Sequence, residues 1–216
     1  MKHIAVFLLC GFAWGAFAQE QPDALAQYRA GREFEGSGRN EEANASYEEA
    51  VNICLDEING GRATSDSYAV LTWSLQRQRK YSAVIRWGQQ ALRLQNDQRI
   101  VETMGEAYFY LENYAASLRN MERYINTQQP ADRSSTAYFF IGEIYRAQRK
   151  FHHADIAYTI AVRLEPGMAL WWYRLGLARE ALGDKAYAAE AFERALRINS
   201  SYRDAADALN RVRKPA

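Results

Sequence analysis

Cysteine and histidine are scarce in this sequence. The 216 residues include two cysteines and three histidines, and they do not have the spacing of a zinc site. The sequence has no nucleophile elbow or phosphate-binding loop, and Gly36-Ser37-Gly38 follows no predicted strand, so it indicates a turn between helices. These absences argue against an enzyme, and we expect neither a cofactor nor a metal.

The chain has no large excess of charge of one sign. Its 27 basic side chains, one of which is Lys2, face 26 acidic ones. Binding to nucleic acid or to an anionic membrane needs a clustered excess of lysine and arginine. We therefore expect no nucleic-acid partner.

The one long apolar run stands at the start of the chain. Lys2 precedes the apolar stretch 4–14, and Ala16-Phe17-Ala18 precedes Gln19, an order typical of a secretory signal peptide cleaved after Ala18. At about 15 residues the run is short for a membrane span. We expect a periplasmic or secreted mature chain without a membrane span. The alternative is an anchor, lipidated at Cys10 or left uncleaved, although Leu9 is a poor residue before a lipidated cysteine.

Cleavage at this site would leave Cys54 as the last cysteine, so no internal disulfide could form. Cys54 lies on the apolar side of a predicted helix and is expected to be a small core residue. A reactive or intermolecular thiol is the alternative.

A pattern of about 34 residues is written twice between residues 135 and 199. The copies read STAYFFIGEIYRAQRKFHHADIAYTIAVRLEP and ALWWYRLGLAREALGDKAYAAEAFERALRIN. Their alignment places Gly142 over Gly176 and Tyr158 over Phe192. Each copy predicts two amphipathic helices joined by a short turn, as in a solenoid.

The order of residues within each copy resembles the tetratricopeptide repeat family. The first copy carries the family's aromatic, glycine, alanine and proline positions, and the second departs at Arg179 and Ser200, where the family has tyrosine and proline. The matching residues of the first copy are Tyr138, Ile141, Gly142, Tyr145, Ala154, Tyr158, Ala161 and Pro166. The resemblance implies an all-α fold, a right-handed superhelical solenoid of antiparallel helix pairs.

Weaker copies of the pattern extend the prediction over the mature chain, residues 19–216. Repeat two carries Thr72 and Gly88 where the family usually has glycine and an aromatic residue. Ser200 or Ser201 is expected to cap a final helix that covers the last repeat with Leu209 and Val212. We predict about five repeats, over 24–57, 65–97, 98–131, 135–168 and 169–202, and a capping helix over 202–213.

Two sets of polar residues are candidates for chemistry. The adjacent His152 and His153 diverge by about 100° on a helix and are expected to be solvated. Glu102, Glu106 and Glu143 share a helix face and would suit acid–base work or a cation site. We favour instead a solvated face balanced by arginines, namely Arg99, Arg77 and Arg146.

The resemblance also implies a binding surface, because the first helices of such repeats line the concave side and hold peptide or protein ligands. Aromatic residues and arginines, which dominate binding energy at interfaces, are frequent at the matching positions, although Phe140 and Leu177 are expected to be structural. The predicted partner-binding residues are Tyr28, Arg32, Trp73, Arg77, Glu106, Tyr110, Phe139, Glu143, Arg146, Tyr173 and Arg174.

One subtype of the family does not fit. Members that bind chaperone tails hold the carboxylate of the tail with lysine and asparagine on the first helices of adjacent repeats. The matching positions here carry Tyr28 and Arg32 in repeat one and Ala69 and Trp73 in repeat two, so this carboxylate clamp is missing. Arg32 and Arg77 remain able to meet a single acidic group.

The sequence thus predicts a non-enzymatic periplasmic adaptor or assembly scaffold that holds a protein segment. The alternative is a self-assembling component of a larger envelope complex, so a homo-oligomer is also compatible with the sequence. The identity of the partner does not follow from the pattern.

Overall fold

Eleven α-helices follow one another through residues 23–127 and 133–214, the parts of the chain that the computed structural model describes. The predicted signal peptide and Cys10 lie outside these residues. The helices are α1 (Ala24–Gly36), α2 (Asn40–Asn59), α3 (Ser65–Arg77), α4 (Tyr81–Leu94), α5 (Gln98–Tyr110), α6 (Tyr114–Ile125), α7 (Ser134–Ala147), α8 (Phe151–Leu164), α9 (Ala169–Ala181), α10 (Lys185–Ile198) and α11 (Arg203–Arg213).

The helices form a continuous stack that confirms the predicted all-α solenoid. Each helix packs against the next one along the chain, and α1, α3, α5 and α7 also contact one another in succession. The odd-numbered helices therefore form one wall, and the even-numbered helices lie behind it. None of the described helices combines the length and the hydropathy that a membrane crossing requires.

The turn inside each of the five helix pairs is closed by the same hydrogen bond. A backbone N–H just beyond the first helix donates to a carbonyl five residues earlier, as from Lys80 to Leu75 (2.9 Å) and from Lys150 to Tyr145 (2.8 Å). The residue before each donor is left-handed, and at Arg79 (φ 57°) and Arg149 (φ 59°) it is not glycine. These turns fix the separation and the antiparallel direction of the paired helices.

A glycine on the first helix faces a ring on the second in the predicted tandem repeats. A Cβ atom added to Gly142 would lie 2.5 Å from Cδ1 of Tyr158, and one added to Gly176 would lie 2.4 Å from Cε1 of Phe192. Both rings are fully buried. The helices can approach this closely only because the glycine has no side chain.

Repeat two has other residues at the positions of this glycine and this ring. Thr72 is buried at the glycine position, and its hydroxyl donates to backbone carbonyls of its own helix, those of Tyr68 and Ala69, each at 2.9 Å. Gly88 stands at the aromatic position, and Met104 of the next helix fills the space, because an added Cβ there would lie 2.5 Å from Met104 Sδ. A flexible thioether thus replaces the missing ring.

The last helix covers the end of the stack as predicted. Leu209 and Val212 are buried against Phe192 of α10, and the polar residues expected to face water, Arg203, Asp204, Asp207, Arg211 and Arg213, are exposed. The predicted serine cap is wrong. The N-cap residue is Tyr202 and has no side-chain cap bond, while Ser201 bonds Oδ1 of Asn199 through its hydroxyl at 2.8 Å.

Cys54 is a core residue. Its thiol is fully buried, and burial raises its pKa to about 12. A thiol that stays protonated at neutral pH is a poor nucleophile. The structure therefore favours a structural role for Cys54 in the core over a reactive or intermolecular thiol.

The glycine–ring contact makes a stability prediction. We expect Gly142→Ala to lower the free energy of unfolding by about 1–3 kcal/mol through overpacking against Tyr158, although alanine is the better helix former by about 1 kcal/mol. Urea denaturation followed by circular dichroism measures the change.

The matched control is Gly167→Ala. Gly167 lies in a turn with no atom within 4 Å of an added Cβ, so its variant should unfold within about 0.5 kcal/mol of the wild type. Equal stability of the two variants would contradict the role assigned to the contact.

Candidate functional site

The wall of odd-numbered helices encloses a groove with a volume of about 1140 Å³. Side chains from α1, α3, α5 and α7 line it, together with residues at the start of α9. Seven of the predicted partner-binding residues lie in this groove: Tyr28, Arg32, Trp73, Arg77, Glu106, Tyr110 and Phe139.

Aromatic rings form a row along the groove. Tyr110 is 49% exposed and contacts the ring of Phe140, with centroids 6.1 Å apart. Phe140 contacts Phe139 at 5.8 Å, and Phe139 stacks on Trp171 at 5.2 Å. Phe140 is 7% exposed, as expected of a structural residue. The row continues from α5 to α9 without a polar interruption between neighbouring rings.

One further ring of the groove comes from a second helix. Tyr81, the first residue of α4, stacks on Tyr110 with centroids 4.8 Å apart and planes 11° from parallel. Burial raises the pKa of both phenols. Tyr110 therefore presents one ring face to Tyr81 and keeps about half of its surface open to a ligand.

Two carboxylates and one guanidinium form the polar floor of the groove. Arg133, the residue before α7, lies 3.1 Å from Glu102 Oε2 and 2.9 Å from Glu106 Oε1. The side chain of Glu102 is 2% exposed, and its Oε1 has no hydrogen-bond partner among the described residues. Burial, followed by the neighbouring charge of Glu106, raises the pKa of Glu102 well above its ordinary value.

The predicted solvated face of three glutamates is therefore wrong. Glu102 and Glu143 are 2% and 6% exposed, since both point between helices rather than into water. Arg133, rather than Arg99 or Arg77, pairs with Glu102 and Glu106. The apolar neighbours of Glu102 in the sequence RIVETMG indicate that this side chain is buried. A buried carboxylate requires a cationic partner.

The four other predicted residues lie on α7 and α9 and do not line the groove. Glu143 accepts a hydrogen bond from the Tyr158 hydroxyl and lies 2.9 Å from Nη2 of Arg146 and 3.2 Å from Nε of Arg174. Tyr173 packs on Tyr202, with ring centroids 5.1 Å apart. Trp171, and not the predicted Tyr173, stacks on Phe139 of the groove.

Arg133, Tyr81, Arg79 and Trp171 line the groove and were missed. The sequence prediction took lining residues from matched positions on the first helices alone. Arg79 and Arg133 lie in connections between helices, and Tyr81 begins a second helix. Trp171 is on a first helix, one residue before the aromatic position that was aligned with Tyr138. Helical periodicity does not report residues in connections.

Other candidates for chemistry lie away from the groove. His152 and His153 are exposed in the first turn of α8, as predicted. No group of three or more potential metal ligands occurs within the residues that the structure describes.

Family comparison identifies the tandem pattern. Residues 135–167 and residues 169–202 each match a profile described as tetratricopeptide repeat. Residues 135–202 thus carry two tetratricopeptide repeats. The predicted repeat type is confirmed over these two segments. A comparison with curated proteins gives no match.

Solved structures with tetratricopeptide-like solenoids share the fold. A chain of the APC/C hetero-tetramer Cut9–Hcn1 is 16% identical, with a TM-score of 0.71 over 89% of this chain and 36% of its own length. MamA from Desulfovibrio magneticus RS-1 is 19% identical, with a TM-score of 0.64 over 84% of this chain and 98% of its own length. YrrB, described as a TPR protein with an unusual peptide-binding site, is 17% identical, with a TM-score of 0.58 over 87% of this chain and 92% of its own length.

The buried floor predicts an unusual pH dependence. Because the folded state raises the pKa of Glu102, this carboxyl favours folding most below its unfolded pKa of about 4.3. That contribution is lost at up to about 1.4 kcal/mol per pH unit as the pH rises through the folded-state pKa. Glu102→Gln should thus become more stable than the wild type as the pH rises from 4 to 8, measured by urea denaturation.

The control for this series is Glu48→Gln, the same change at an exposed position of α2. Its unfolding free energy should follow that of the wild type across the pH range. If Glu102→Gln also runs parallel to the wild type, the buried carboxyl is not held in its neutral form.

Proposed function

We propose that this protein is a non-enzymatic interaction module that holds a protein segment in the groove of its odd-numbered helices. The observation that carries the proposal is the row of rings that lines a groove of about 1140 Å³. Tetratricopeptide repeats, which residues 135–202 carry, are protein-interaction modules. Cavities of this size bury an apolar anchor well.

The composition of the groove suits a protein ligand. Tyrosine, tryptophan and arginine are the residue types most enriched among interface hot spots, and Tyr110, Trp73 and Arg77 all line the groove. Rings lose little rotamer entropy on binding, because each has only two side-chain torsions. An extended segment or one face of a helix would bury its apolar side chains against this row.

The eleven predicted residues have two roles in this proposal. The seven in the groove contact the ligand. The ion pair of Glu143 with Arg174 joins α7 to α9, Arg146 pairs with Glu143 within α7, and Tyr173 packs on the residue before the capping helix. These four residues stabilise the wall that carries the rings.

The first residues of the chain support a proposal for its cellular setting. We propose that the leader is cleaved after Ala18 and that the mature protein is a periplasmic adaptor or assembly scaffold. The support is the order of charge, apolar run and small residues in residues 2–18.

The intact mass of protein purified from the cell envelope should correspond to a chain that begins at Gln19. Signal peptidase cleaves after a small-x-small sequence such as Ala16-Phe17-Ala18. A diacylglycerol-bearing Cys10 would show that the protein is lipid-anchored, and a mass that includes Met1 would show that it keeps its leader.

Ligand binding is tested with a phage-displayed library of random 12-residue peptides, selected on the purified mature protein. Synthetic copies of the enriched peptides are then titrated by calorimetry. Tyr110→Ala should weaken their binding about thirtyfold, because truncating a hot-spot ring typically costs about 2 kcal/mol.

Tyr187→Ala is the matched control. Tyr187 is 58% exposed but lies on α10, outside the groove, so its loss should leave the affinity unchanged. A library without enrichment, or peptides that bind Tyr110→Ala as well as the wild type, would count against the groove. Circular dichroism confirms that both variants are folded.

A further inference from the structure

We propose that one end of the groove recognises acidic side chains beside an aromatic or large aliphatic residue of the ligand. This end, the arginine end, consists of Arg32, Arg77 and Arg79 with the ring pair Tyr81 and Tyr110. The inference rests on the proposed function and names the chemistry of the segment that the groove would hold.

The arginine end has more positive than negative charge. Arg32 Nε and Arg77 Nη1 lie 3.6 Å and 3.5 Å from the same Glu35 oxygen, which also accepts the Tyr47 hydroxyl at 2.8 Å. Arg79 forms no ion pair within the described residues. Arg32 and Arg77 therefore share one carboxylate and Arg79 has none, so the three guanidinium groups retain two uncompensated positive charges.

The rest of the groove has no such excess. Arg99 lies 2.7 Å from Asp66 and 2.7 Å from Asp97, and Arg133 pairs with Glu102 and Glu106. Both guanidinium groups are fully balanced. The attraction for an anion is thus confined to the arginine end.

The positive charges adjoin the open ring of Tyr110. Arg79 is exposed in the turn directly before Tyr81, which stacks on Tyr110. Burial and the charge of Glu106 raise the pKa of the Tyr110 phenol, and the charges of Arg79 and Arg77 act on the same phenol and oppose that rise. A ligand ring or aliphatic group on Tyr110 would therefore bring its neighbouring residues within reach of these guanidinium groups.

Carboxylates match this arrangement best. Guanidinium groups bind carboxylates with two parallel hydrogen bonds, and two acidic side chains would balance the remaining charge. The preferred ligand is a segment with two acidic residues next to an aromatic or large aliphatic one. A basic segment would meet uncompensated positive charge.

The random peptide library separates this inference from the proposed function. Enriched peptides that carry acidic residues beside an aromatic or aliphatic residue support both. Enriched peptides that are neutral or basic overturn the acidic recognition and leave groove binding intact. A library without enrichment counts against the groove itself and against the inference with it.

Arg79→Asn tests the site directly with the enriched peptides, since asparagine tolerates the left-handed backbone. We expect roughly tenfold weaker binding, as for the loss of a charged hydrogen bond, and a shallower dependence of affinity on NaCl concentration. Arg149→Asn is the matched control, an exposed arginine at the equivalent turn position with φ 59°, and should bind like the wild type. Equal binding and equal salt dependence of the two variants would overturn the proposal.

Discussion

The close approach of paired helices at a glycine is the constraint on which the rest of this structure depends. The ring of Tyr158 lies directly against the Cα of Gly142, and that of Phe192 lies against Gly176. This contact sets the distance between the two helices of a pair, and the left-handed turn sets their direction. Because the same geometry recurs, successive first helices align in one wall and their side chains face a common groove. Around repeat two the corresponding positions are filled by Thr72 and by Met104 of the next helix, so the constraint is on volume rather than on one residue type.

Buried charge provides a second connection between neighbouring repeats. Arg133 spans from the start of α7 to Glu102 and Glu106 on α5, and Glu143 on α7 meets Arg174 on α9. Removing the cation of such a pair would leave a buried carboxylate without its partner, which costs more than the pair contributes. These networks therefore fix the relative positions of the first helices. The rings of α5, α7 and α9 are held in a row by that fixed arrangement.

The sequence predicts the repeating scaffold better than the groove. Glycine, alanine and ring positions recur at a fixed period, so helix pairs and the polar outer face of α11 follow from local pattern. Tyr110 and Phe139 were found because they occupy matched positions on first helices. Arg79 and Arg133 were not found, because they lie in connections whose direction depends on how whole repeats stack. The same limit explains why the burial of Glu102 was not predicted, because it depends on a cation thirty-one residues away in the chain.

The turn positions are places where a regular scaffold can vary its exposed side chains. The backbone of the turn is the same at Arg79, Glu112 and Arg149, with φ between 57° and 59°, so packing does not dictate these exposed side chains. The turn between α3 and α4 lies at the groove beside the stacked rings of Tyr81 and Tyr110, and there Arg79 forms no ion pair within the described residues. A left-handed arginine costs about 1–2 kcal/mol relative to an ordinary backbone, and glycine would avoid that cost. If the groove recognises acidic ligands as proposed, the Arg79 side chain would supply at this turn a cation beside the rings, which glycine could not.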